Sequence, residues 1–213
     1  MDSQEPLLQP LRIGERMPRF VARSTQGPFD LDAYRGEWLI LFSHPADFTP
    51  VCTSEVLALA RAAPQFEALG CRLAGLSVDS LYSHLAWIRL MRDTTGVAIN
   101  FPIIEDPTME IARGFGMVGA GAHDSATVRM TYFIDPDGVL QALNSYPLTV
   151  GRSIPEMLRL LTALQGVGEG AGLAPADWQP GDALWPVPAE TAEAALASAG
   201  PAAWFYAPQG KEG

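Results

Sequence analysis

Cysteine is nearly absent: the 213 residues hold two, Cys52 and Cys71. That rules out a disulfide framework and a cysteine zinc cluster, and in a reducing compartment it suits a working thiol better than a structural bridge. Histidine numbers three, and His44, His84 and His123 stand at no ligand spacing, so no metal and no other cofactor is expected. Basic residues are few, 14 against 24 acidic for a net charge of -10, which leaves no basic stripe for a phosphate backbone. A nucleic-acid partner is therefore not expected. No apolar run approaches the ~20 residues that cross a bilayer. The start, Met1-Asp2-Ser3-Gln4-Glu5-Pro6, lacks the positive-then-apolar layout of a secretory signal. The expectations are no membrane association and a cytoplasmic location. Repeats and low-complexity tracts are absent too, and the length suits one full core with an appendage.

What is present is a thiol placed where a helix opens. Trp38-Leu39-Ile40-Leu41-Phe42 is a short apolar run with polar flanks and reads as a buried strand. After Ser43-His44-Pro45-Ala46-Asp47-Phe48, the residues Val56, Leu57, Leu59, Ala60, Ala63, Phe66 and Leu69 recur at helical spacing, up to a stop at Gly70. Thr49 suits the N-cap and Pro50 the first helical position, where a missing N–H costs nothing. Cys52 then falls in the first turn, among unpaired backbone N–H groups at the positive end of the helix dipole. That setting favours the thiolate, the nucleophilic form. A cysteine that is only a small buried apolar residue is the plainer alternative.

Strand-like and helix-like segments alternate after an N-terminal arm of about 18 residues, which predicts an α/β fold with a central sheet. The pattern predicts strands over 72–78 and 101–104 and a helix capped by Ser80 with Leu81, Leu85, Ile88 and Met91 facing inward. It also predicts a short helix opened by Pro107, a hairpin turning at Asp135-Pro136-Asp137-Gly138, and a last long helix after Ser153. The tail from Leu173 carries six prolines, a helical stretch near 190–198, and Trp178, Trp185, Trp204, Phe205 and Tyr206. It cannot build its own core, so those aromatics are expected to dock, either back on this chain or on another.

Pro45, Thr49 and Cys52 match Pro-x-x-x-Thr-x-x-Cys, the active-site signature of the peroxiredoxins (AhpC/TSA superfamily), and His44-Pro45-Ala46-Asp47-Phe48-Thr49-Pro50-Val51-Cys52-Thr53 resembles their one-Cys branch. Gly75 to Ser80, His84-Leu85-Ala86-Trp87, Phe101 to Ile104, Arg129 before Ile134-Asp135-Pro136-Asp137-Gly138, and Tyr146 to Arg152 extend the resemblance over most of the chain. It implies a thioredoxin-like fold, a central mixed sheet flanked by helices, as a peroxidase domain over 1–166, with a C-terminal extension over 167–213 that embraces a partner subunit. It also implies a homodimer, or a higher homo-oligomer such as a ring of dimers. Some members of the branch carry a lipase activity tied to a serine motif before the active-site strand; Gly36-Glu37-Trp38-Leu39-Ile40 has no serine, and that activity is not expected.

The implied chemistry is reduction of hydrogen peroxide and organic hydroperoxides through a Cys52 sulfenic acid. Thr49 would hydrogen-bond the peroxide, and Pro45 would shield the sulfur from water. Arg129 lies within Thr127 to Ile134, where a strand should be half buried and a guanidinium needs an anion. Alternation puts it on one face with Thr127, Thr131 and Phe133, a face the resemblance assigns to the active site; an edge arginine facing solvent is the alternative. Glu55 shares a helix face with Cys52 and reads as the anchor of Arg129, and of Arg152 if the latter is not simply solvated. His44 is either a polar strand end or a substrate contact, and Val51 completes the supporting set beside Cys52. With a continuous helix between them, Cys52 and Cys71 stand about 28 Å apart, too far for a disulfide within one chain. Cys71 then reads as buried and inert, and an external thiol as the reductant; a disulfide between Cys71 and the Cys52 of another chain stays open. Two rivals remain: thiol-disulfide exchange, which Thr49 weakens by standing where a Cys-x-x-Cys partner belongs, and a redox sensor or holdase switched by Cys52 oxidation.

Overall fold

Seven strands form one sheet in the order β2-β1-β5-β4-β3-β6-β7. They are β1 (Val21–Ser24), β2 (Gly27–Asp30), β3 (Trp38–Ser43), β4 (Cys71–Ser77), β5 (Ile103–Glu105), β6 (Arg129–Ile134) and β7 (Leu140–Tyr146). The computed structural model describes residues 11–119 and 124–206, so His123 lies outside the described residues. β3, β4 and β5 run parallel and the other pairs antiparallel, which makes the sheet mixed. Parallel neighbours need a crossover, and α1 (Pro50–Ala68) supplies it between β3 and β4, as α2 (Leu81–Thr95) does between β4 and β5. At the centre, Gly75 leaves room for the Phe42 ring, whose nearest atom a Cβ there would meet at 3.0 Å.

Alternation along β6 splits its side chains between two layers. Met130, Tyr132 and Ile134 join Leu39, Leu41 and Leu76 in a buried cluster on one face. Arg129, Thr131 and Phe133 face the other way, toward α1, and are also buried. The hairpin between β6 and β7 turns on Gly138, at φ 73°, with its N–H donating to the Asp135 carbonyl at 2.8 Å.

Two helices depart from the sequence pattern. In α2 the Ser80 cap is in place, accepting from the Ser83 N–H at 3.3 Å. The buried face, however, is His84, Trp87 and Met91, while Leu85 is exposed. A buried acid elsewhere in the chain holds His84 inward, which hydrophobic periodicity cannot register. The short α3 (Glu110–Gly114) starts three residues beyond Pro107, because the buried Asp106 carboxylate takes the Ala112 N–H at 2.7 Å.

The chain divides into two units, Met1–Ile154 and Pro155–Gly213. All seven strands belong to the first. The second contains α4 (Ile154–Gly166) apart from its first residue, and α5 (Ala192–Leu196), capped by Thr191. Within it, Trp178 is buried and donates its indole N–H to the Asp182 carbonyl at 2.9 Å, and Leu173 pairs with Trp185. Leu196, Phe205 and Tyr206 stay exposed.

Candidate active site

Cys52 sits in the first turn of α1, behind Thr49 in extended conformation and Pro50 at the first helical position. It is fully enclosed, at 0% exposure. The Thr49 hydroxyl does not cap the helix; it donates instead to the Ala46 carbonyl at 2.8 Å, which tightens the turn after β3. Pro45 is buried in that turn.

Arg129 reaches the sulfur from β6. Its Nη1 lies 3.3 Å from Cys52 Sγ and 2.6 Å from Glu55 Oε2, and its Nη2 donates to the Leu148 carbonyl at 2.7 Å. Arg152 closes the other side of Glu55, with Nε and the backbone N–H on Oε1 at 2.9 and 2.8 Å and Nη2 on Oε2 at 2.9 Å. Its Nη1 donates to the Met130 carbonyl at 2.9 Å, and its guanidinium lies over the Phe42 ring. Burial works against ionisation of Glu55, but hydrogen bonds and charge from Arg152, with the charge of Arg129, outweigh it and hold the carboxyl below its ordinary range. Val51 packs where a side chain on Gly151 would meet it at 3.3 Å, next to the arm that delivers Arg152. Arg129 thus joins Cys52 to Glu55, which Arg152 grips in turn, with the three charged groups on three separate segments of chain.

A second buried cluster adjoins the first. Asp47 Oδ1 lies 2.9 Å from His44 Nε2, and Oδ2 lies 2.8 Å from His84 Nδ1 on α2. Burial opposes the charge of Asp47, yet both imidazoles stabilise it and keep its carboxyl far below the usual range. Burial pushes His44 down despite Asp47. Sequence spacing missed Asp47 and His84, which lie 37 positions apart. Among the described residues these three form the one group whose donor atoms, within 4.8 Å of one another, are near enough to hold a metal. The 2.8 and 2.9 Å separations are those of N–H···O contacts, and a metal bonded to both ends at about 2.0–2.2 Å would have to sit well off that line.

Cys71 is placed differently, at the start of β4 beyond the far end of α1. Burial pushes its thiol up to about 12, and Sγ donates to the Arg72 carbonyl at 3.4 Å. A cleft of about 480 Å³ lined by Tyr34, Glu67, Cys71 and Arg72 opens at that end, away from the turn that holds Cys52.

A mixed sheet with α1 crossing from β3 to β4, and a cysteine under a guanidinium at the start of that helix, define a thioredoxin-like protein with a cysteine-centred site. The chain belongs to the AhpC/TSA family, whose model matches residues 13–143, and is thus a peroxiredoxin, a thiol peroxidase. A peroxiredoxin of Aquifex aeolicus is 45% identical over 175 residues, covering 82% of this chain and 79% of that protein. Among solved structures, the yeast mitochondrial 1-Cys peroxiredoxin, described for its thiol resolving mechanism via glutathione/thioredoxin systems, aligns with a TM-score of 0.75 at 39% identity, covering 81% of this chain and 84% of that one. A reduced 2-Cys peroxiredoxin of Plasmodium vivax aligns with a TM-score of 0.74 at 32% identity, covering 82% and 92%. Both subtypes share the fold, so the placement of the cysteines has to separate them.

Proposed function

We propose that this peroxidase is of the one-Cys type, with Cys52 the sole redox sulfur and an external thiol as reductant. The sulfur attacks one oxygen of hydrogen peroxide or an organic hydroperoxide; an S–O bond forms and the O–O bond breaks. The departing oxygen takes up the proton released when the thiol ionised and leaves as water or alcohol. Arg129 faces the sulfur through Nη1, and its buried Nε, without a partner among the described residues, is a donor for the oxygen gathering charge. Because the Thr49 hydroxyl spends its hydrogen on Ala46, its lone pairs are left to accept the O–H of the peroxide. Pro45 excludes water; Glu55, Arg152 and Val51 fix the guanidinium, and His44 acts from beneath through Asp47. The sulfenic acid then condenses with an external thiol, releasing water, and a second thiol frees Cys52 from the mixed disulfide.

The observation that carries the one-Cys reading is the position of Cys71. α1 is continuous from Cys52 to Ala68, about 24 Å at 1.5 Å per residue, and Cys71 lies beyond it with a thiol that burial keeps protonated. Steady peroxide consumption with dithiothreitol should survive Cys71→Ser and vanish in Cys52→Ser. Loss of turnover in Cys71→Ser would make Cys71 the resolving thiol, and a single round of oxidation without recycling would favour a redox sensor. The same proposal includes a cytoplasmic location and at least a homodimer, supported by the exposed aromatics of the C-terminal unit. Truncation after Gly172 should lower the number of subunits per particle in solution; an unchanged number would remove the intersubunit role of the tail.

A further inference from the structure

We propose that His84, on α2 and outside the reacting centre, is a positioning residue for the peroxide site, acting through Asp47 on the turn that presents Thr49. This rests on the peroxidase reading above. The turn from His44 to Thr49 contains one strained residue: Phe48 has φ 56°, a left-handed conformation that is costly for a bulky side chain. Burial does not offset that cost, because Phe48 is 54% exposed. What holds the backbone there is the residue before it. Asp47 is fixed at three points, by His44 and His84 on its two carboxylate oxygens and by Asp79, whose Oδ2 accepts the Asp47 N–H at 2.9 Å.

Of the three, His44 lies in the turn itself and Asp79 follows β4, while His84 ties the turn to α2. It is wholly buried, and its Nε2 has no partner among the described residues, so its one hydrogen bond goes to Asp47. A buried imidazole with one nitrogen left unpaired is a destabilising choice for a core position, and the site it steadies supplies the reason. The Cys52, Arg129, Glu55 and Arg152 network makes no hydrogen bond to His84 or Asp47. Loss of the His84 bond therefore loosens the turn that presents Thr49 while the sulfur keeps its guanidinium.

The test compares two reactions of the same sulfur in the full chain: oxidation by hydrogen peroxide, which needs Thr49, and alkylation by iodoacetamide, which does not. His84→Leu should slow oxidation by about ten- to a hundred-fold while alkylation stays within about two-fold, since misplacing a positioning group by an ångström costs rate on that scale. His84→Asn, whose amide nitrogen replaces Nδ1, should recover most of the oxidation rate. Equal losses in both reactions, or an unchanged oxidation rate in His84→Leu, would overturn the proposal. If His84→Leu does not fold, His84→Gln, whose amide reaches the Nε2 position instead, makes the same comparison against His84→Asn. A wild-type protein inert to peroxide would remove the peroxidase reading itself, which keeps the two failures apart.

Discussion

Cys52 and Cys71 are equally hidden, at 0% and 2% exposure, and lie at opposite ends of the same helix-strand unit. Burial therefore does not decide which sulfur is chemical. Around Cys52 the interior is lined with cations and N–H groups: a guanidinium at 3.3 Å, anchored by a carboxylate that a second guanidinium also grips. Around Cys71 burial prevails: the sulfur donates to the Arg72 carbonyl, and the charge of Glu37 works with burial to keep the thiol protonated. The contrast teaches that reactivity in this fold depends on which donors line an enclosure, and that enclosure alone makes a thiol inert.

Substitutions can break that contrast at graded cost. Arg129→Ala, which removes the donor and leaves the sulfur in place, should lower kcat/KM for peroxide by about a hundred- to a thousand-fold, as loss of a charge-stabilising donor does elsewhere. Glu55→Ala strands two guanidiniums in the interior and should cost about 3–5 kcal/mol, read as a lower denaturation midpoint. Acid sharpens the same point. The Glu55 carboxyl is held below its ordinary 4.5, so its contribution to stability is full above that pH and is lost as pH falls through the depressed value. Glu55→Gln should flatten that part of the stability profile while leaving the neutral region without the acid-dependent slope. The smallest effect belongs to the other end: Cys71→Ala should leave peroxide turnover within about two-fold and cost about 1 kcal/mol of stability, for a small void.

Much of this arrangement was legible in the residues. The apolar run before a Thr-Pro cap located Cys52, and a charge inside Arg129–Ile134 announced a buried pair because strand neighbours left it no solvent. Glu55 followed from sharing a helix face with the cysteine. The second cluster was not legible, since His44, Asp47 and His84 are joined by packing between a turn and a helix rather than by any period. The same packing misled the reading of α2: Leu81, Leu85 and Ile88 make a plausible stripe, yet a hydrogen-bonded histidine and Trp87 occupy the interior. Pro64 is the opposite case, a residue that ought to stop α1 and yet sits within it, the helix continuing to Ala68 before Gly70 at φ 62°.

Two guanidiniums sharing one carboxylate leave a surplus positive charge walled in beside Sγ. A sulfur anion balances it; an uncharged sulfenic acid does not. In the mechanism proposed above, each catalytic cycle would alternately fill and empty an ionic vacancy inside the protein, and the oxidised chain should then melt at a lower temperature than the reduced one. Heat resistance would then serve as a record of recent exposure to oxidant.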